Sequence, residues 1–302
     1  MGEYLTRKFW PKIIKTKYFN EQIKFFSKNE DDIKKKFILS MLPYYEYIGA
    51  KRIALGTEGI NPDILLLLNF QIARREIDIV EARALLEKVQ NQSVKKNIEN
   101  KFAKDDDLGK VFESILYLTV QASENECADF ILRLTPIVTK LAMLLLEKSS
   151  PITVDKFLKP SINKKKIETG KVFYNTEQME EHYDLTERPL DELKKKDYQP
   201  YCTNRYLFAL LEQLKQQGRI SDKEFSIISN VEKFEKKFRN TLAHDIKRMD
   251  NDIAKKETNN TISDILGQIK GLFSFVDSEG VYKNKWDSYE IVNNEIIKLL
   301  GL

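Results

Sequence analysis

The sequence predicts an all-α protein, a bundle of amphipathic helices, and two observations carry that prediction. Apolar residues recur three and four positions apart over long windows, as at Val231, Phe234, Phe238, Leu242, Ile246 and Met249. That is the period of one buried helix face, not the alternation of a strand. Helix boundaries are also written into the chain: Asn61-Pro62-Asp63 joins a capping amide, a first-turn proline and a favourable charge, and Gly218 stands where a helix can stop.

Residues 1–55 form a basic, aromatic N-terminal segment, with Phe9-Trp10, Tyr18-Phe19, Phe25-Phe26 and Tyr44-Tyr45 set among lysines. Such aromatics can stack RNA bases, but at helical spacing they more commonly pack a core, and the core reading is taken. Residues 56–124 read as a helical linker domain: a helix over Ile64 to Ile72, another over Glu81 to Val89, a polar break at 104–109, then Val111 to Val120. Gly56-Thr57-Glu58-Gly59 follows only one short apolar run, so it is read as a loop before a helix and not as a phosphate cradle.

The third region, 125–302, opens with a helical run from Glu126 to Lys148, in which Pro136 marks either a kink or a first turn. An irregular insertion follows at 149–200, with four prolines and the lysine runs 164–166 and 194–196. Lys171-Val172-Phe173-Tyr174 has a strand pattern, so a short β-hairpin is expected there; His182 lies nearby without a partner motif. Thr203 can cap a helix carrying Leu207, Leu210, Leu211 and Leu214, and Ser221 with Glu224 makes a capping box for the next. Thr261 to Phe273 and Asn284 to Leu300 supply two more helices; Tyr282, Trp286 and Tyr289 are assigned to the core in preference to an RNA groove.

Formal charge is +4, from 50 basic and 46 acidic residues, so bulk charge does not argue for nucleic acid and any RNA site must be local. Two cysteines, Cys127 and Cys202, and two histidines give neither a disulfide framework nor zinc spacing. No metal or cofactor is expected. The apolar runs Ile64 to Leu68 and Leu141 to Leu146 are far short of a membrane span, and the start of the chain has no secretory apolar region. A cytoplasmic protein without membrane contact is expected.

The chemistry concentrates in Arg239-Asn240-Thr241-Leu242-Ala243-His244, on the predicted helix that starts near Ser221. Asn240 and His244 are four apart and nearly aligned, with Arg239 one step round and long enough to reach the same cleft. An imidazole can move a proton near neutral pH, and a guanidinium that stays charged can hold a phosphate. Those are the minimal parts for phosphodiester cleavage. The bland readings are an ion pair between Arg239 and Glu235 and a histidine that only hydrogen-bonds. Lys236, Lys237 and Lys247 are the candidate RNA-phosphate contacts. A DNA-reading helix-turn-helix is disfavoured, because the second helix is too long and its polar face alternates acid with base.

The hexapeptide matches the R-x4-H signature, in its R-N-x-x-A-H form, of the HEPN ribonuclease superfamily. Asp264 to Phe273 and Tyr289 to Leu300 resemble the closing helices of the CRISPR type III-A accessory ribonucleases, and Ala128 to Pro136 is similar to the first helix of their HEPN domain. The resemblance covers about 125–302 and, more loosely, the helical region from about 60. It implies a helical bundle with a C-terminal HEPN domain, acting as an endoribonuclease on single-stranded RNA in antiviral defence. It also implies a homodimer, in which two copies of the helix share one cleft with two arginines and two histidines. Arg239, His244 and Asn240 would be its catalytic groups. Without a metal, the nucleophile would be the substrate's own 2′-hydroxyl, leaving a 2′,3′-cyclic phosphate.

Members of that family carry a CARF domain that senses cyclic oligoadenylate, built on glycine-rich loops between hydrophobic strands, and this sequence has no such succession. A CARF sensor, or its cyclic oligoadenylate signal, is therefore expected outside this chain, whether on a missing portion or a partner, or absent from a CARF-less relative. Two other readings stay open: a HEPN toxin of a toxin–antitoxin or abortive-infection system restrained by a partner, and a non-catalytic HEPN module for dimerisation or binding.

Overall fold

The computed structural model describes residues 30–124, 126–149, 204–244 and 249–301, with 204–206, Asn240, Thr241, Ala243 and His244 described as backbone. Twelve α-helices and one 3-10 turn make up these residues, and no strand occurs among them. The aromatic pairs before residue 30, the expected β-hairpin, the two lysine runs, His182 and Thr203 lie outside the described residues. No helix among the described residues is long and apolar enough to cross a membrane. The chain divides into two compact units, Met1–Phe102 with Asp287–Leu302, and Ala103–Trp286.

The first unit holds α1 (Glu30–Met41), α2 (Tyr47–Leu55), α3 (Pro62–Arg75), α4 (Ile79–Glu87), α5 (Gln92–Glu99) and the last helix, α12 (Ser288–Leu300). The Asn61 side chain accepts from the amide of Asp63, as its capping sequence predicts. The Asp63 carboxylate then accepts from the amides of Gln90 and Asn91, both at 2.9 Å, and so fixes the approach to α5. The 56–59 segment is a helix-ending turn: Thr57 Oγ1 donates to the carbonyl of Ile53 at 2.9 Å, and Lys34 Nζ donates to that of Gly56 at 2.8 Å.

Helix α12 packs on α3 through a buried polar cluster. Gln71 Nε2 donates to Tyr47 Oη and to the Tyr289 carbonyl, each at 3.1 Å. Arg74, fully buried, donates to Ser288 Oγ at 2.7 Å, and its guanidinium lies 4.0 Å from the centre of the Tyr289 ring. Tyr289 is therefore core, as expected. The helix starts at Ser288, four residues later than the apolar pattern suggests, because residues 281–285 are spent in turns: Asp277 accepts from the amides of Val281 and Tyr282, and Lys285 N–H donates to the Tyr282 carbonyl.

The second unit holds α6 (Asp107–Ser123), α7 (Cys127–Ser149), α8 (Asn204–Gln216), α9 (Asp222–His244), α10 (Asn251–Thr258) and α11 (Ile262–Val276). Helix α7 is central and meets α6, α8, α9 and α11. Its face of Phe130, Leu134, Val138, Leu141 and Leu145 is buried, as are Val231 and Phe234 of α9 and Ile265, Ile269 and Leu272 of α11, two of the helices it meets. Each such side chain stabilises the fold by about 1.5–3 kcal/mol. Pro136 lies inside α7, so it is not a first-turn residue. Tyr282 and Trp286 stack with Phe112 and Phe273, and Tyr282 is buried; its hydroxyl accepts from the Lys104 amide at 3.2 Å.

Two helix ends position α9. Gly218 adopts a φ of +71°, where a side chain would be strained, and its N–H donates to the Lys215 carbonyl at 2.8 Å to close α8. Ser221 Oγ then accepts from the Glu224 amide at 3.3 Å, one half of the expected capping box.

Candidate active site

The apolar stripe of α9 turns one face inward: Ile228, Val231, Phe234 and Phe238 are buried and Leu242 is half-buried. The stripe stops sooner than its period implies. The described helix ends at His244, Ile246 lies outside the described residues, and Met249 is no longer helical.

At the edge of this face the sequence puts a glutamate where the helix period asks for an apolar residue. Glu235 is 1% exposed, and its Oε1 pairs with Nη1 of Arg239 at 3.2 Å, one turn on. The same Oε1 accepts a hydrogen bond from the hydroxyl of Thr135 on α7. Its other oxygen, Oε2, is buried with no hydrogen-bond partner. The Arg239 side chain is 40% exposed, so it is anchored through Nη1 and not enclosed. Glu235 was foreseen only as a surface partner; its burial and its bond to Thr135, a hundred positions earlier, have no local signal in the sequence.

The lysine candidates divide. Lys236 pairs with the buried Glu232, Lys237 pairs with Glu257 of α10 at 3.1 Å, and Lys247 lies outside the described residues. The two lysine side chains are about half exposed. The Lys237–Glu257 pair, exposed on both sides, is worth about 0–1 kcal/mol, so a phosphate can displace it at little cost, whereas Lys236 is held by a buried carboxylate.

Asn240 and His244 are placed by the helix backbone. At about 100° per residue, four positions leave them about 40° apart around the axis, whereas the five positions from Arg239 to His244 amount to about 140°. One helix therefore presents Asn240 and His244 on a common face and Arg239 on its flank. A surface groove of about 780 Å³, lined by residues including Phe225, Asn230, Lys233 and Gln268, lies nearer the start of α9 and does not include Arg239. Among the described residues no cluster of three or more His, Cys, Asp or Glu side chains is arranged to hold a metal.

An all-α unit whose long helix carries the R-x4-H sequence is consistent with a HEPN-type helical domain, and the family match identifies it as one. The sequence profile of the Cas_Csm6 HEPN domain matches residues 76–297, and the chain belongs to that family, the CRISPR type III accessory HEPN ribonucleases. Among solved structures, Enterococcus italicus Csm6 bound to cyclic hexa-2′-fluoro-hexa-dAMP is similar in fold, with a TM-score of 0.62 at 15% identity. The match covers 89% of this chain and 57% of that one, so the chain spans little more than half the length of that protein. No curated protein sequence matches.

Proposed function

We propose that the protein is a metal-independent endoribonuclease that cleaves single-stranded RNA in CRISPR type III defence, working as a homodimer. The observation that carries this reading is Arg239: a guanidinium anchored through Nη1 and not enclosed, in the R-x4-H sequence of a domain that belongs to the ribonuclease family.

The chemistry follows from the groups available. The 2′-oxygen attacks the adjacent phosphorus as its proton leaves, the bond to the 5′-oxygen breaks, and that oxygen takes up a proton. The products are a 2′,3′-cyclic phosphate and a free 5′-hydroxyl. Arg239 stabilises the charge that builds on the non-bridging oxygens, and His244 moves a proton. Asn240 orients the histidine or donates to the phosphate. One imidazole does not readily serve as base and acid in the same step. Two copies related by a two-fold axis supply the second histidine. Cyclic oligoadenylate is expected to act on this chain weakly or not at all, since the sensor sequence is not recognisable in it, although the solved relative holds a cyclic hexanucleotide analogue.

The deciding experiment incubates the purified protein with labelled single-stranded RNA in EDTA, with and without cyclic oligoadenylates. Cleavage that survives the chelator and leaves cyclic-phosphate ends is the expected result. A strict requirement for magnesium or manganese defeats it.

A second reading is favoured by one observation, the ion pair of Arg239 with Glu235. It makes Arg239 a structural residue and the protein a non-catalytic dimerisation or binding module. Arg239→Ala separates the two: loss of cleavage in a folded variant supports the enzyme, and purified wild-type dimer inert on RNA supports the module.

A further inference from the structure

We propose that Glu235, with Thr135, is the positioning device for Arg239, a role that rests on Arg239 acting on the phosphate. Three features of the geometry point to it. The carboxylate is 1% exposed, in the arc of α9 that otherwise carries Val231, Phe234 and Phe238, where a leucine or methionine would pack without any cost of desolvation. Its Oε1 takes two donors, the Thr135 hydroxyl from α7 and Nη1 of Arg239, so a residue on the central helix fixes the direction from which the guanidinium is held. Its Oε2 is buried and has no partner, which is more than a merely structural ion pair needs to tolerate.

The consequence for Arg239 is directional. A guanidinium has five N–H donors in one rigid plane. With Nη1 held by Glu235, the plane of the fork is set, and the rotamer freedom of a long side chain is reduced before substrate arrives. The carboxylate also offsets part of the positive charge, so it weakens attraction for the ground-state phosphate. A positioning role thus exchanges affinity for rate: Glu235 raises kcat while leaving KM unchanged or higher.

The test uses full-length protein and compares Glu235→Gln, Thr135→Val, Thr135→Ser, Arg239→Ala and the Glu235→Gln/Arg239→Ala pair. Glutamine is isosteric but uncharged. Glu235→Gln is expected to lower kcat roughly 10- to 100-fold, the range that a displaced catalytic group typically costs, with KM unchanged or lower. Thr135→Val should lower kcat in the same sense and Thr135→Ser should keep it. In the Arg239→Ala background Glu235→Gln should have no further effect. A wild-type kcat in Glu235→Gln, or an equal fractional loss with and without Arg239, overturns the proposal. If Glu235→Gln does not fold, Thr135→Val decides: a wild-type rate in that variant overturns it.

A readout without catalysis keeps this separate from the ribonuclease reading. The side-chain NMR signals of Arg239 in the free protein should show hindered guanidinium rotation in the wild type and lose it in Glu235→Gln and Thr135→Val. Unchanged signals overturn the positioning role even in an active enzyme. An Arg239→Ala variant that cleaves normally instead overturns the catalytic assignment of Arg239.

Discussion

His244→Ala is expected to lower cleavage by about 100- to 10,000-fold, the usual contribution of a general acid–base group, with far-ultraviolet circular dichroism and the urea midpoint unchanged. A folded variant that cleaves at the wild-type rate removes His244 from the mechanism. His182→Ala, at a histidine with no partner motif, is the matched control and should cleave normally. At this scale the sequence offers candidate groups and not their surroundings. Arg239, Asn240 and His244 can be named as candidates because their types and spacing are local. The burial of Glu235 is not, because a glutamate one turn before an arginine reads as a solvated ion pair until α7 is packed over it. Lys236 and Lys237 were legible as basic residues, but their partners Glu232 and Glu257 depend on the helix surface and on the return of α10.

Helix termini were the most legible features among the elements, since a cap is decided within a few residues. Thr261 and Asp264 form a reciprocal capping box at the start of α11, each side chain bonded to the other's backbone amide. The bonds from Thr261 hold the Asp264 carboxyl below its ordinary value of 3.8. A carboxyl depressed in the folded state contributes stability that is present above its unfolded value and lost as pH falls through the folded one. Asp264→Asn, which removes the titrating carboxylate, should therefore lower the urea midpoint at pH 7 and do so less below pH 3. Equal shifts at the two pH values would show that the ionised carboxylate is not what stabilises the helix start. The start of α12 was misplaced because its apolar pattern begins before the backbone does: Asp277 captures the amides of Val281 and Tyr282 and keeps that stretch in turns. The end of the α9 stripe was misjudged for a related reason, as Met249 continues the period but not the helix.

For the whole molecule, alkaline pH is the informative variable. Burial pushes the Tyr282 hydroxyl from 10.0 up to about 12. In the unfolded chain that group ionises near pH 10, so between about pH 10 and 12 the unfolded state binds fewer protons and stability falls as pH rises. Tyr282→Phe should be less stable than wild type at pH 8, having lost the bond from the Lys104 amide, and the gap should narrow above pH 10. A gap that stays constant to pH 12 would contradict the burial argument. Assembly gives the other test at this scale. A cleft shared by two copies predicts that loss of dimerisation abolishes cleavage with Arg239 and His244 both intact, and that mixed dimers of Arg239→Ala and His244→Ala reveal, by any partial activity, unequal halves. A fully active monomer in sedimentation and cleavage assays would refute the shared cleft. The all-α class was legible from periodicity alone, whereas the pairing of α12 with α3 was not, since no local pattern states which distant helix will cover which face.

That pairing also bears on how the protein is made. Arg74 and Gln71 obtain Ser288 and Tyr289 as partners only once the segment beyond residue 287 has emerged from the ribosome. The second unit, encoded without interruption between Ala103 and Trp286, can complete itself first. At about 5–20 residues per second the first unit then waits roughly 10–40 s with an uncovered face on α3. The N-terminal unit is thus closed only by its last helix, and released chains truncated before Ser288 should carry early helices open to proteases and chaperones while the domain bearing Arg239 keeps all of its own helices.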